Sequence, residues 1–597
     1  MTTLEYGPLQ KPREFRLLNI RPGATTDPLS LELSHSILDE TGTPAFVALS
    51  YVWGSPNSNM STAQVLVQTE TGTTAASYVS IGQNLAVALQ HLRLASATRT
   101  VWADAICINQ KDLAERSQQV LLMGDIYRLA SGVVAFLGPE ADDSTVALDL
   151  IEKTGRMVEV NFRSGQVLPS DMGHVCEELG WAEIQRPLPF TCQQFEAISH
   201  LLGRHGRIWA SPEVSLRKQA GHAKCSDPRD RLYGLLSQLP ERDRVGIVPD
   251  YTKSVSDVYT ETTRDQIRRH NRLDIITNCE LDERAPAFAT PSWVPDFSTP
   301  TDAADIHDVT PELFHLGPSF TYIDSTVIHA TGVYICRVAC VIPFDKQKMY
   351  GGSDSDTARY LRTLLLALAE NRYVLDASPD RREHFWETCC RTLWLNNFAE
   401  RWVPPVLHEP RYHKCLSIIK MLVSPGNSLG ELHDVPDTSL YLQRCRDACK
   451  SRSLFLTEDG HLGAGAESVS IGDEVAALFG YFTPILLRPE IHGTGRHRVV
   501  STCYLDGEMR GESLLGDLPR NLHGVLNGKG SSQLRGAAYM DIDTGVIYQD
   551  DPRDESFLTG LQERGFLTEP SLAELKKAGA WDLLSRAGLP VKTFKLI

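Results

Sequence analysis

The sequence predicts an α/β N-terminal domain, a mostly helical middle region and a β-rich C-terminal region, and three patterns carry that prediction. Between Phe15 and Leu137, short apolar runs alternate with segments whose apolar residues recur at helical spacing, the signature of a sheet covered by helices. After Pro228, helical spacing dominates. From Leu454 to Leu505, the pattern becomes short apolar runs broken by glycine, as in LFLTEDGHLGAG, GDEVAALFG, PILLRP and RVVSTCYLDG. The expected domains are 1–215, with an insertion at about 140–205, then 216–440, then 441–597 ending in helices. A chain of 597 residues exceeds what one hydrophobic core serves, which agrees with several cores.

In the N-terminal domain, Phe15–Ile20, Leu29–Leu38 and Phe46–Tyr51 read as strands, followed by short strands at Val65–Gln68 and Tyr78–Ile81. Asn84 is the expected N-cap of a helix carrying Leu85, Ala88, Leu89 and Leu92 on one face. Thr100–Ile108 is apolar enough for a strand buried on both faces. Leu113–Leu129 reads as a helix with Val120, Met123, Ile126 and Tyr127 on one side, and Val133–Leu137 as another buried strand, so the sheet is expected to be parallel. Thr145–Thr154 and Cys192–Leu202 read as helices in the insertion. Asp230–Leu239, Ser254–His270 and Asp356–Leu375 are the clearest helices of the middle region, and Thr326–Val341 reads as a strand pair.

Composition narrows the function classes. The net charge of −16 argues against a broad surface for nucleic acid or anionic lipid. The N-terminus has no apolar signal core, and windows such as Leu361–Ala369 and Val475–Leu487 are too short or broken to span a bilayer. A soluble, cytoplasmic protein is expected, with neither nucleic acid nor a membrane span among its partners. Thirteen scattered cysteines without a CxxC pair read as reduced, small apolar residues, and no metal site is expected. No phosphate-binding GxxxxGK[ST], strand-following GxGxxG or GxSxG elbow occurs. The HGTGRH run His492–His497 reads as a turn.

The chemistry that remains lies at strand ends, where loops converge and helix N-termini offer free N–H groups. Ser50, Tyr51, Trp53 and Gly54 end one strand; Asp104, Asn109 and Gln110 lie in and after another. Asp104 inside an apolar run must be hydrogen-bonded or ionised for a purpose. It either caps backbone amides or acts as an acid/base. Trp209 and Glu213, four apart, share a face if helical. An aromatic beside a carboxylate can stack a ring while the carboxylate stabilises cationic charge at a sugar carbon.

At these residues the sequence resembles the fungal heterokaryon-incompatibility (HET) domain family. The segments that carry the resemblance are FVALSYVWG (Phe46–Gly54), NLAVALQHLR (Asn84–Arg93), Val101–Pro139 and RIWASPEV (Arg207–Val214). Downstream, DPRDRLYGLL (Asp227–Leu236), PDYTKSVSDVY (Pro249–Tyr259), PSWVPDFS (Pro291–Ser298) and Leu454–Glu512 resemble the region that follows the domain in stand-alone members. The resemblance implies non-self recognition and programmed cell death, and a TIR-like parallel-sheet fold. TIR-type chemistry would make NAD a substrate, with no cofactor required. Glu213 and Asp104 are then the catalytic candidates, and Ser50, Tyr51, Trp53, Gly54, Asn109, Gln110 and Trp209 the ligand-binding ones. Pro212 stands where the family motif RxWxxQE has glutamine, removing an N–H donor and a polar side chain. Three readings follow. The chain is a signalling module working by self-association or a protein partner, an NAD(P) glycohydrolase, or a scaffold repurposed for small-molecule chemistry with Asp104, Asn109 and Tyr51 as acid/base groups.

Overall fold

The computed structural model describes residues 4–24, 26–51, 62–69, 77–140, 143–161, 166–169, 225, 227–234, 236, 246–281, 288–299, 306, 311–317, 319–403, 409–425, 438–490, 495–519, 521–527, 538–577 and 579–597. The chain forms two compact units, Met1–Val258 with Phe297–Pro300, and Tyr259–Asp296 with Thr301–Ile597.

The first unit is built on strands β1 (Glu14–Ile20), β2 (Ser30–Ile37), β3 (Val47–Tyr51), β4 (Thr62–Thr69), β5 (Ser77–Gly82), β6 (Arg99–Trp102) and β7 (Gly132–Phe136). Helices α1 (Gln83–Leu92), α2 (Asp104–Cys107), α3 (Leu113–Leu129) and α4 (Ser144–Met157) intervene or follow, and a small hairpin pairs β8 (Val158–Asn161) with β9 (Gln166–Pro169). The seven-stranded order is β5-β4-β2-β1-β6-β3-β7. The expected parallel sheet is instead mixed. β6–β3, β3–β7 and β2–β4 run parallel, whereas β1–β2, β1–β6 and β4–β5 are antiparallel. The β1–β2 and β4–β5 connections are too short for the crossover that parallel neighbours need.

Three local expectations are corrected. The run from Thr100 does not stay extended to Ile108: β6 stops at Trp102, and Asp104–Cys107 makes one helical turn. α1 begins two residues earlier than expected, with extended Gly82 at the N-cap and Asn84 inside the helix. β7 is an edge strand rather than a buried one, leaving Val133 51% exposed. α3 matches its predicted limits and is capped by Asp112, whose side chain accepts from the Ala114 and Glu115 amides. Its orientation follows chemistry more than hydrophobicity, because Glu115 and Gln119 are buried while Leu121 is exposed. The insertion helix expected at Cys192–Leu202 lies outside the described residues.

The second unit is organised by one long strand. The strand pair expected within Thr326–Val341 is instead one 16-residue strand, β11 (Ile328–Pro343), whose hairpin partner β10 (Phe320–Ile323) precedes that range across a turn on Asp324. The later strands are β12 (Trp402–Val403), β13 (Arg452–Thr457), β14 (Leu462–Ala466), β15 (Glu474–Leu478), β16 (Ile485–Pro489), β17 (Arg496–Thr502), β18 (Tyr504–Leu505), β19 (Leu522–Asn527), β20 (Ala538–Asp541), β21 (Ile547–Tyr548) and β22 (Val591–Leu596). β11 pairs with both β15 and β22, and β15-β16-β17-β22 completes the circuit, so five strands close on themselves. Where β11 meets β15 the chains are tight: a Cβ on Gly332 would lie 2.5 Å from the Ala477 carbonyl oxygen. β13, β14 and β18 extend from the far half of β11.

Helices Asp354–Ala369, Phe385–Leu393, Tyr412–Val423 and Thr438–Cys449 enclose a separate apolar core containing Cys389, Cys390, Cys415 and Cys445, all fully buried. The helix expected over Asp356–Leu375 is interrupted at Glu370–Asn371, where the Asn371 side chain accepts from the Tyr373 amide and starts a new turn. All eleven described cysteines are free thiols. No group of metal-ligating side chains occurs among the described residues, and no described helix is long and apolar enough to cross a membrane.

Candidate functional site

The last residues of β3 place Ser50 and Tyr51 beside β7, with Ser50 opposite Ala135 and Tyr51 opposite Phe136. Both are buried. The Tyr51 hydroxyl donates to Asp104 Oδ1 at 3.0 Å. Burial, reinforced by the Asp104 charge, raises the Tyr51 phenol well above its ordinary range, so it stays a protonated donor. Asp104 Oδ1 also accepts from the Ala105 amide at 2.8 Å, and the Asp104 carbonyl accepts from Gln110 Nε2 at 2.9 Å. The α2 turn thus brings Tyr51, Asp104 and Gln110 into one hydrogen-bonded cluster.

Asn109 serves the next element instead. Its side-chain oxygen accepts from the Lys111 amide, and its own amide donates to Glu115 Oε1 at 2.7 Å. Trp53, Gly54, Trp209 and Glu213 lie outside the described residues, so this structure does not position the WxxxE pair.

Two charged assemblies around α3 are absent from the sequence-predicted set. Arg16, wholly buried in β1, makes a bidentate pair with Glu115, Nη1–Oε1 2.6 Å and Nη2–Oε2 2.8 Å. The same guanidinium donates to the Cys107 and Gly7 carbonyls and lies 4.9 Å from the Tyr6 ring centroid. Tyr6 returns a hydrogen bond to the Ile106 carbonyl. The α2 turn that presents Asp104 is therefore held from beneath by Arg16 and Tyr6.

The next residue, Arg116, faces the other way. It pairs with Asp227 at 3.2 Å and Asp230 at 2.8 Å, and its guanidinium lies 3.7 Å over the Tyr251 ring. Tyr251 donates its hydroxyl to Asp230, and Arg229 donates to Asp227 and to the Tyr251 and Lys253 carbonyls. Burial raises Asp230 despite those partners. At Asp227 burial is outweighed by the Arg229 hydrogen bonds and the Arg116 charge, which hold it low. This assembly explains why DPRDR and PDY occur downstream of the domain: both fasten to α3. The adjacent acid and base at Glu115-Arg116 were the only local signal, and adjacency alone does not say that one faces inward and the other outward.

The second unit carries its own charged knot. Glu474 on β15 contacts His497 on β17 at 3.3 Å, Arg337 on β11 at 3.2 Å and Lys592 on β22 at 3.5 Å, joining four strands of the closed circuit. The His497 hydrogen bond, aided by both cations against the opposing effect of burial, lowers the Glu474 carboxyl to about 2. His497, read as part of a turn, is the second residue of β17.

Residues 46–176 match the heterokaryon incompatibility protein (HET) family, starting at β3, and residues 431–521 match the Het-6 beta-barrel domain, which takes in β13 to β18. The chain thus carries one stretch similar to the HET family and a second similar to the Het-6 barrel. Among curated proteins it is similar to heterokaryon incompatibility protein 6, OR allele, of Neurospora crassa, at 25% identity covering 43% of this chain. The chain spans about half the length of that relative, 53%. No solved structure matches it. β11 and β22, which close the circuit, lie outside the stretch matched to the Het-6 barrel.

Proposed function

We propose that the chain is a cytoplasmic effector of non-self recognition and cell death, whose HET domain works by binding a partner or another copy of itself rather than by catalysis. The supporting observation is the engagement of Asp104. Its Oδ1 is committed to the Tyr51 hydroxyl and the Ala105 amide, and its backbone carbonyl to Gln110. A carboxylate so used fixes the shape of a strand-end surface, and a phenol raised by burial is a poor base at neutral pH. The matched family and the similar Neurospora protein are both named for heterokaryon incompatibility, which supports the biological setting.

The test pairs two measurements. Induced expression of the full chain in a fungal host is expected to reduce viability, and Tyr51→Phe or Asp104→Asn to blunt that effect by deforming the surface. Purified protein incubated with NAD is expected to release no nicotinamide, even at concentrations where it self-associates. Nicotinamide release that disappears in Glu213→Ala would overturn the proposal and establish NAD as a substrate.

A further inference from the structure

The stretch 541–555, beyond both matched domains, forms a fixed apolar edge. β21 ends the four-stranded order β12-β19-β20-β21, so among the described residues only β20 pairs with it. Residues 542–550 are all exposed, and four of them are large and apolar: Ile542 at 55%, Val546 at 48%, Ile547 at 38% and Tyr548 at 46%. Because neighbouring strand residues point to opposite faces, exposure of both Ile547 and Tyr548 leaves both faces of β21 uncovered, while Tyr539 on β20 is buried.

The turn beneath them is well tied. Asp541 Oδ1 accepts from the Asp543 and Thr544 amides, the Asp541 amide donates to the Val546 carbonyl, and Gly545 takes φ 71°, a left-handed value that suits glycine. The apolar side chains are therefore displayed on a preorganised backbone, which lowers the ordering cost of binding.

Charge defines what fits. Over 541–555 there are six acids (Asp541, Asp543, Asp550, Asp551, Asp554, Glu555) and one base, Arg553. Arg553 and Asp551 are both buried and paired with each other, and Arg553 also donates to the Gly516 and Arg510 carbonyls, so the other five acids set the charge of the edge. A second copy of the same edge would bring like charges together.

We infer that β21 is a docking edge for an extended segment of a partner protein in which lysine or arginine alternates with apolar residues, added as a fifth strand. Main-chain hydrogen bonds to β21 would give the affinity, Ile547 and Tyr548 the apolar contacts, and the acidic fringe the selectivity.

The test uses the full chain and fluorescein-labelled decapeptides of alternating lysine and valine, glutamate and valine, or lysine and glycine. Anisotropy should show saturable binding of the lysine–valine peptide and at least tenfold weaker binding of the others. Hydrogen exchange at residues 546–549 should slow on addition of that peptide. The double variant Ile547→Thr/Tyr548→Thr should bind at least tenfold more weakly. Should it fail to fold, the exposed pair Asp543→Lys/Asp550→Lys decides, with the same expected loss. Absence of saturable binding, equal binding of the lysine–glycine peptide, or indifference to the variants would overturn the inference. A concentration-dependent dimer dissolved by Ile547→Thr would also overturn it, in favour of a second copy.

Discussion

Replacing Glu115 by alanine should loosen the first unit from the inside. The guanidinium it leaves behind, Arg16, is fully buried, and both carboxylate bonds at 2.6 and 2.8 Å vanish together with the acceptor of the Asn109 amide. The Cys107 and Gly7 carbonyls and the Tyr6 ring remain, but none carries a compensating charge. Removing one member of a buried pair costs about 3–5 kcal/mol, because an uncompensated charge stays in the interior. A chain of two units does not unfold in one step, so a global midpoint is the wrong readout. Peptide-resolved hydrogen exchange isolates the unit: β1 and α3 amides should exchange about 10²- to 10⁴-fold faster at fixed pH. β11 and β15, in the other unit, should be unchanged. The double replacement Arg16→Met/Glu115→Leu should recover much of the loss, since it leaves no orphaned charge. An acceleration below tenfold in Glu115→Ala would refute the idea that this pair anchors the α2 turn.

Two further outcomes concern the second unit. Burial pushes the Glu512 carboxyl up to about 8, against hydrogen bonds from the Arg510 amide and its own backbone. A folded value above the ordinary ~4.3 means the folded state binds the extra proton, so stability falls as pH rises between about 4 and 8. Hydrogen exchange in second-unit peptides, corrected for the intrinsic pH dependence of exchange, should show the decline across that window in the native chain and a flatter profile in Glu512→Gln; parallel profiles would place the titration elsewhere. Gly332→Ala would drive a Cβ into the Ala477 carbonyl oxygen and to 2.8 Å from Leu478 Cα, both backbone atoms that cannot swing away. Overpacking of this kind costs roughly 1–3 kcal/mol. Faster peptide-resolved hydrogen exchange in β11 and β15 is the expected result, and unchanged exchange there would show that the two strands have room for the methyl group.

Most elements were legible from local pattern because hydrophobic period and turn chemistry act within a dozen residues. α3 kept its predicted limits, and β1 to β5 appear where the apolar runs lie. Strand direction was not legible. A buried strand has the same apolar composition in either direction, and loop lengths, not side chains, made the first sheet mixed. The Asp104 run shows the same limit: VWADAIC is apolar enough for a strand, yet the chain turns after Trp102 to make Tyr51 and Gln110 contacts separated by 53 and 6 residues.

The sequence by itself determined the alternation of elements in the first unit, the candidate residues at the ends of its strands, and the resemblance to incompatibility proteins that the family matches uphold. Only the tertiary structure decided that Arg16 lies in the core beside Glu115, 99 residues away, that Arg116 fastens to Asp227 and Asp230, and that one strand, β11, closes a five-stranded circuit with β15 and β22. The physical reason is common to all three. A charge or a strand edge carries no address in its own neighbourhood, and its partner is chosen by which distant group can satisfy it once water has been excluded.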